Sequence, residues 1–157
     1  MKWAKAGLAS LSLLLAACSN HTPGDSAQVP PVPSLDDMRA VSPTLAHNTE
    51  SMLLGEVWKR PGLSPRDRSL VTLAVLISKQ QTVELAYHLN LALDNGVKPS
   101  EISEVINHLA FYTGWGNATA TILVTKQVFA QRGVTVEQLP PVSPPLLPID
   151  QASEKVR

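Results

Sequence analysis

The sequence is short of several residue types, and each shortage excludes a class of structure or site. It has one cysteine among 157 residues, which excludes an intramolecular disulfide and a metal site built from several cysteines. Aromatic residues make up only 4%, whereas aliphatic residues and alanine are abundant, which favours helices packed on helices over a sheet sandwich. The 13 basic residues equal the 13 acidic ones, so no basic excess indicates nucleic-acid binding, and no nucleic-acid partner is expected.

The single cysteine lies at the end of a leader of the export type. Lys2 and Lys5 introduce an uncharged apolar core at 6–15, ten residues long. This core is too short to cross a bilayer as a helix, which needs roughly 20 residues, and has the length of a signal-peptide core. The ending Leu15-Ala16-Ala17-Cys18 resembles the bacterial lipobox. We therefore expect cleavage before Cys18 and its lipidation; an ordinary signal peptide with an incidental cysteine is the alternative.

A lipid on Cys18 would hold the mature chain at a membrane surface rather than across the bilayer. In lipoproteins, an aspartate directly after the lipidated cysteine resembles a signal for retention at the inner membrane. The residue at this position is Ser19, so that signal is not present. The expected location is therefore the periplasmic side of the cell envelope, at the outer membrane in a cell that has two membranes.

Proline marks the boundaries of the folded part. Of the 13 prolines, five lie at 23–43 and five at 140–148. Proline-rich stretches favour extended, polyproline-like chain. The prediction is a lipoprotein signal peptide at 1–17, an extended tether at 18–43, a folded domain at 44–139 and a proline-rich tail at 140–157. A domain of about 96 residues is small for a single core, so self-association would help to stabilise it.

Apolar residues within the predicted domain recur with helical spacing, and no stretch of comparable length has a strand pattern. The second predicted helix has Ser64 as its N-cap and Pro65 at its first position. The other predicted helices span about 45–58, 82–95, 99–114 and 117–132. The expected fold class is all-α.

Two acid–histidine pairs could carry chemistry. Glu84 and His88 lie four residues apart on one helical face, as Glu104 and His108 do on the next helix. A carboxylate beside an imidazole orients the ring and raises its basicity, as general acid–base catalysis requires. Either pair can equally be a surface contact worth a few tenths of a kcal/mol, and His108 can be a half-buried histidine with a hydrogen-bond partner. A metal held by both histidines and a glutamate is conceivable, but no HExxH-like spacing is present and no metal is expected.

Arginines and aromatic residues supply further candidates. Arg66 and Arg68 flank Asp67, and a guanidinium can hold a substrate carboxylate through two parallel hydrogen bonds. Surface charge is the alternative role for both arginines. Tyr112 and Trp115 lie beside a glycine-containing turn, where they either pack between helices or form the wall of a pocket.

The chain resembles the carboxymuconolactone decarboxylase family over about 80 residues, in the family's order. The matching segments are 57–72, 84–89, 92–97 and 101–115. The resemblance implies the all-α alkylhydroperoxidase D-like fold, usually assembled as trimers or hexamers, so a homotrimer or homohexamer is expected. One branch of the family consists of thiol peroxidase partners with a Cys-x-x-Cys motif ahead of a histidine. Counting back from His88, those cysteine positions hold Gln81 and Glu84, so dithiol peroxidase chemistry is not expected.

The other branch consists of lactone decarboxylases, and here the resemblance is closer. Arg68, Glu84 and His88 stand where that branch has its matching arginine, glutamate and histidine. The departures are Lys98, where a threonine cap is usual, and Gly116, where proline commonly follows tryptophan.

The resemblance implies a cofactor-free enzyme that acts on a small anionic organic acid or lactone. Arg68 would bind the carboxylate, Glu84 would polarise His88, and His88 would move the proton that replaces carbon dioxide or shifts a double bond. His108 and Trp115 would line the pocket. Aromatic-acid breakdown is cytosolic and this chain carries an export leader, so we expect a substrate other than carboxymuconolactone. The alternative is a non-catalytic, oligomeric binding module of the envelope.

Overall fold

The computed structural model describes residues 32–148. The predicted signal peptide, Cys18, the first part of the tether and residues 149–157 of the tail lie outside this range. Within it the chain is helical and has no β-strand, which confirms the expected all-α fold class. The elements are α1 Leu35–Val41, α2 Pro43–His47 with a π-helical continuation Asn48–Leu54, a 3₁₀ turn Val57–Lys59, α3 Pro65–Ser78, α4 Thr82–Asp94, α5 Pro99–Thr113, α6 Trp115–Ala120, α7 Ile122–Gln131 and a final 3₁₀ turn Val136–Gln138.

The end of the predicted tether differs from expectation, because Leu35–Val41 is a helix and not extended chain. The Ser34 backbone N–H donates to the Asp37 carboxylate at 2.8 Å, and the Asp37 N–H donates to Ser34 Oγ at 3.1 Å. This reciprocal capping box starts a helix, and no proline interrupts 34–42. The prediction of extended chain followed the number of prolines over 23–43 and overlooked the capping residues Ser34 and Asp37.

The first helix predicted for the domain also has a different form. In place of one α-helix over 45–58, α2 widens into the π-helix and then ends before the 3₁₀ turn. Gly55 closes the π-helix, and any Cβ there would collide with the carbonyl oxygen of Ser51. The 3₁₀ turn then contacts α3.

The core lies between α3, α4, α5 and α7, and α6 packs on α3 and α5. The predicted start of α3 is confirmed, since Ser64 Oγ accepts the Asp67 N–H at 3.0 Å and Pro65 is the first helical residue. Each fully buried aliphatic side chain contributes about 1.5–3 kcal/mol. Those in the core with almost no exposed surface are Leu73, Ile77, Leu85, Leu89 and Ile102.

The predicted fifth helix is two helices, α6 and α7, which meet at Thr121. The Thr121 side chain is fully buried and its hydroxyl donates to the Ala118 carbonyl at 2.7 Å. A hydroxyl that bonds to the backbone in this way competes with the regular helical ladder. The break was not visible in the periodicity, because apolar residues continue on both sides of Thr121.

One polar side chain ties three elements together near the α3–α4 turn. Asn117 on α6 donates to the carbonyls of Ser78 and Thr113, both at 2.9 Å, and accepts from Gln80 Nε2 at 2.6 Å. Gln80 lies in the turn with φ of 54°, in the left-handed region that non-glycine residues seldom adopt. The contact with Asn117 therefore holds a strained turn between the two helices that carry Arg68 and His88.

None of the helices within residues 32–148 has both the length and the apolar character needed to cross a membrane.

Candidate active site

His88 lies on α4 with its imidazole half-buried between two aromatic rings. Trp58, from the 3₁₀ turn, faces it nearly in parallel, with 6.4 Å between ring centroids and 22° between planes. Tyr87 meets it edge-on, with centroids 5.0 Å apart. His88 Nδ1 is buried and has no hydrogen-bond partner among the described residues. A buried polar atom without a partner is costly, so this nitrogen is a candidate contact for a ligand.

Burial lowers the pKa of His88 below its ordinary 6.5, and the nearby charge of Glu84 opposes that shift. Burial disfavours the charged form of an imidazole, whereas a neighbouring carboxylate favours it. The influence of Glu84 on His88 is thus electrostatic. The net effect is a largely neutral imidazole near pH 7 when no ligand is bound.

Arg68, near the start of α3, is the second partly unsatisfied side chain. Its Nη2 donates to the Arg60 carbonyl oxygen at 2.6 Å, while its Nε is buried without a partner among the described residues. Arg66, in contrast, pairs with Asp67 and with Glu101. None of the ion pairs formed within 32–148 includes Arg68, so its charge is available to an anion.

One short segment, Val57–Arg60, joins the two side chains. Its Trp58 covers His88 and its Arg60 carbonyl holds Arg68, while α3 and α4 pack side by side. We call this segment the strap. Arg68 and His88 therefore both contact the strap, and Glu84 lies one turn before His88 on α4. Sequence reasoning missed the strap's role, although a tryptophan in a segment of mostly polar and charged residues was an available signal.

His108 and Trp115 each contact another aromatic residue of the same region. His108 is exposed, not half-buried, and stacks on Tyr112 with centroids 4.5 Å apart. Trp115 meets Phe111 edge-on at 5.6 Å. We call these four residues the aromatic cluster. His108 also lines a groove of about 360 Å³ between α3 and α5, together with Ala74, Glu104, Val105 and Leu109. These contacts do not link His108 or Trp115 to His88, and their role in lining the substrate pocket stays a prediction.

Comparison with known proteins assigns the family. The sequence model of the carboxymuconolactone decarboxylase family matches residues 43–127, which is more than half of the chain. The protein belongs to the carboxymuconolactone decarboxylase family. The matched range includes the strap, Arg68, Glu84 and His88 as well as the aromatic cluster. Helix α1 and the predicted tether up to residue 42 lie outside it.

Two curated relatives of this family member are both named as decarboxylases. A 4-carboxymuconolactone decarboxylase from Acinetobacter baylyi is 40% identical over 85 residues, which are 54% of this chain and 63% of the relative. A nitrosuccinic acid decarboxylase from Metarhizium robertsii is 40% identical over 73 residues, which are 46% of this chain and 51% of the relative. The chain thus spans between half and two thirds of the length of these relatives.

Within residues 32–148 of this family member, no group of three or more histidine, cysteine, aspartate or glutamate side chains is placed to hold a metal ion.

Proposed function

We propose that this protein is a cofactor-free decarboxylase or isomerase-type enzyme acting on a small carboxylic acid or lactone. The observation that carries the proposal is that two buried atoms of side chains at the strap, Arg68 Nε and His88 Nδ1, have no hydrogen-bond partner within residues 32–148. One is a fixed cationic donor, and the other belongs to a group that can carry a proton near neutral pH. An anionic ligand would satisfy both atoms.

Arg68 would bind the substrate carboxylate. Its planar guanidinium can offer Nε–H together with an Nη hydrogen to two carboxylate oxygens, and the hydrogen bond to Arg60 fixes its orientation. Arg66 would not serve this purpose, because Asp67 and Glu101 already neutralise it.

His88 would manage the proton. In a decarboxylation the bond to the carboxyl carbon breaks, carbon dioxide leaves, and the electron pair passes into an electron-withdrawing group of the substrate itself. A proton from the imidazolium then replaces carbon dioxide on carbon. A bound anion beside Glu84 would raise the pKa of His88 from its low resting value and charge the ring for that transfer. In an isomerisation the neutral ring would instead remove a proton from one carbon and return it to another.

The relatives support the reaction class more than the substrate. Both are named for the loss of a carboxyl group from a carboxylic acid. We propose a different acid here, because the leader before Cys18 predicts export of the chain. The protein would then be anchored through a lipid on Cys18 at the periplasmic side of the envelope.

Self-association is part of the proposal. Phe111, Tyr112 and Trp115 have 75%, 76% and 62% of their surface exposed, and no charged residue lies between Glu104 and Lys126. The three rings alone expose roughly 400 Å², which is in the range of the largest apolar patch on a typical monomer. A homotrimer or homohexamer would cover this surface. The same surface favours the second candidate function, a non-catalytic binding module.

A ligand screen on the full chain tests the proposal. We expect at least one small carboxylic acid or lactone to raise the melting temperature, because a ligand that binds the folded state stabilises it by mass action. Arg68→Ala should abolish that response, whereas Arg66→Ala, at the already paired arginine, should keep it. His88→Gln should retain binding but stop carbon dioxide release or isomerisation.

Two outcomes would contradict the proposal in different ways. If no acid or lactone stabilises the protein or is turned over, the binding-module function replaces the enzyme. If turnover is found but survives in both Arg68→Ala and His88→Gln, the reaction class stands and the site is wrong.

A further inference from the structure

Trp58 is placed differently from its neighbours in the strap. Val57 and Lys59 on either side of it are exposed, whereas Trp58 is half-buried. Among the residues that the structure describes, its indole is the one aromatic ring from outside α4 that stacks on His88, with 22° between the planes. With 6.4 Å between the centroids, the indole lies nearly parallel to the imidazole on the strap side of it.

We propose that Trp58 is a positioning residue, whose indole shields His88 from water and fixes its ring plane while the Arg60 carbonyl holds Arg68. The strap thereby sets the proton-carrying ring and the anion-binding guanidinium relative to each other. The consequence for catalysis rests on the proposed function, whereas the shielding of His88 does not.

The charges around His88 show which property the indole controls. The titratable and charged groups on the elements around His88 are Lys59 and Arg60 on the strap, Arg66, Asp67 and Arg68 on α3, Glu84, Tyr87 and Asp94 on α4, Lys126 on α7 and Arg132 directly after α7. Arg132 pairs with Asp94 at the end of α4. Of these charges, that of Glu84 acts on the pKa of His88 and raises it, whereas burial lowers the pKa and is the larger effect. Removing the indole weakens burial and leaves Glu84 in place.

The Arg60 contact extends the argument to ligand binding. One Nη2 hydrogen bond leaves the remaining guanidinium hydrogens, including the buried Nε–H, without a partner among the described residues. A guanidinium anchored at one corner loses less side-chain freedom when a carboxylate binds at another. Since Arg60 follows Trp58 by two residues, a change that displaces the indole also loosens the anchor of Arg68.

The test is the titration of the His88 ring by NMR in the full chain with labelled histidine and no ligand. Trp58→Ala should move the midpoint of His88 upward, toward or beyond the ordinary value of 6.5. Trp58→Phe should keep the midpoint close to that of the parent protein, because a ring still covers the imidazole. Val57→Ala, a truncation in the same strap without ring contact, is the matched control and should leave the titration unchanged.

Trp58→Leu is a second variant for the case that Trp58→Ala does not fold. It should move the His88 midpoint in the same direction by a smaller amount. An unchanged His88 midpoint in both the alanine and the leucine variant would overturn the proposal, as would an equal shift in Val57→Ala. If a substrate is found, Trp58→Ala should also move the pH profile of kcat/KM upward, with Trp58→Phe restoring it. The NMR titration needs no substrate, so its failure and the failure of the proposed function are distinguishable.

Discussion

Truncation of Asn117 to alanine tests how the helices that carry the site are held together. The amide of Asn117 uses both of its donor hydrogens and its acceptor oxygen, and its partners belong to α3, the end of α5 and the α3–α4 turn. Asn117→Ala removes all three hydrogen bonds at once. It also leaves Gln80 in its left-handed conformation without the side-chain contact that helps to hold it.

The magnitude follows from the number and burial of these bonds. A hydrogen bond contributes about 0.5–1.5 kcal/mol net, and the freed carbonyls of Ser78 and Thr113 can be partly rehydrated because both residues are only half-buried. We expect the free energy of unfolding to fall by about 2–3 kcal/mol. For a domain of this size, that corresponds to a melting temperature lower by roughly 10–20 °C.

Urea unfolding followed by circular dichroism measures the loss. Asn107→Ala, at an exposed position of α5, is the matched control and should change stability by less than about 0.5 kcal/mol. Asn117→Asp should destabilise the protein at least as much as alanine, because a carboxylate would face two carbonyl oxygens and cannot donate to them. A loss below about 0.5 kcal/mol in Asn117→Ala would refute the reasoning.

Three further predictions concern the ionisation, assembly and anchoring of the chain. The pKa of His88 is below 6.5 in the folded state, so the unfolded chain binds more protons below pH 6.5, and stability should fall as pH drops through that value and the lower folded pKa. In urea unfolding at pH 7 and pH 5, His88→Gln should reduce this loss of stability, and an unchanged loss would contradict the burial argument. The double variant Phe111→Ser/Trp115→Ser should reduce the oligomer mass in native mass spectrometry, and an unchanged mass would place the interface elsewhere. Cys18→Ala should move the protein from the membrane fraction to the soluble fraction, and continued sedimentation with membranes would rule out the lipid anchor.

The fold could be predicted from the sequence where local signals agreed with tertiary packing. Ser64 and Pro65 predicted the start of α3, and Gly114, with φ of 100°, ends α5 as expected. The breaks inside predicted helices could not be foreseen. The division at Thr121 depends on a buried hydroxyl that bonds to the backbone, and the π-helix before Gly55 has no effect on the apolar pattern.

The candidate site was predictable in part. Helical spacing placed Glu84 beside His88, and the resemblance to the family added Arg68. The strap was not predicted, because one of its contacts joins residues 30 positions apart, Trp58 and His88, and the other joins the backbone carbonyl of Arg60 to the side chain of Arg68. Helical periodicity gives no information on such contacts. Nor could it show that His108 is exposed and stacked within the aromatic cluster.

The most direct test of the claim that Arg68 and His88 form a carboxylate site is to measure by calorimetry how tightly the protein binds an acid and the corresponding amide. The acid is the carboxylate that most stabilises the full chain, and its amide has the same shape without the charge. A charge-assisted hydrogen bond contributes about 1.5–3 kcal/mol, so the acid should bind the parent protein roughly 10- to 100-fold more tightly than it binds Arg68→Ala. The amide should bind both proteins with similar, weak affinity. Equal affinity of the acid for the parent protein and for Arg68→Ala would contradict the account.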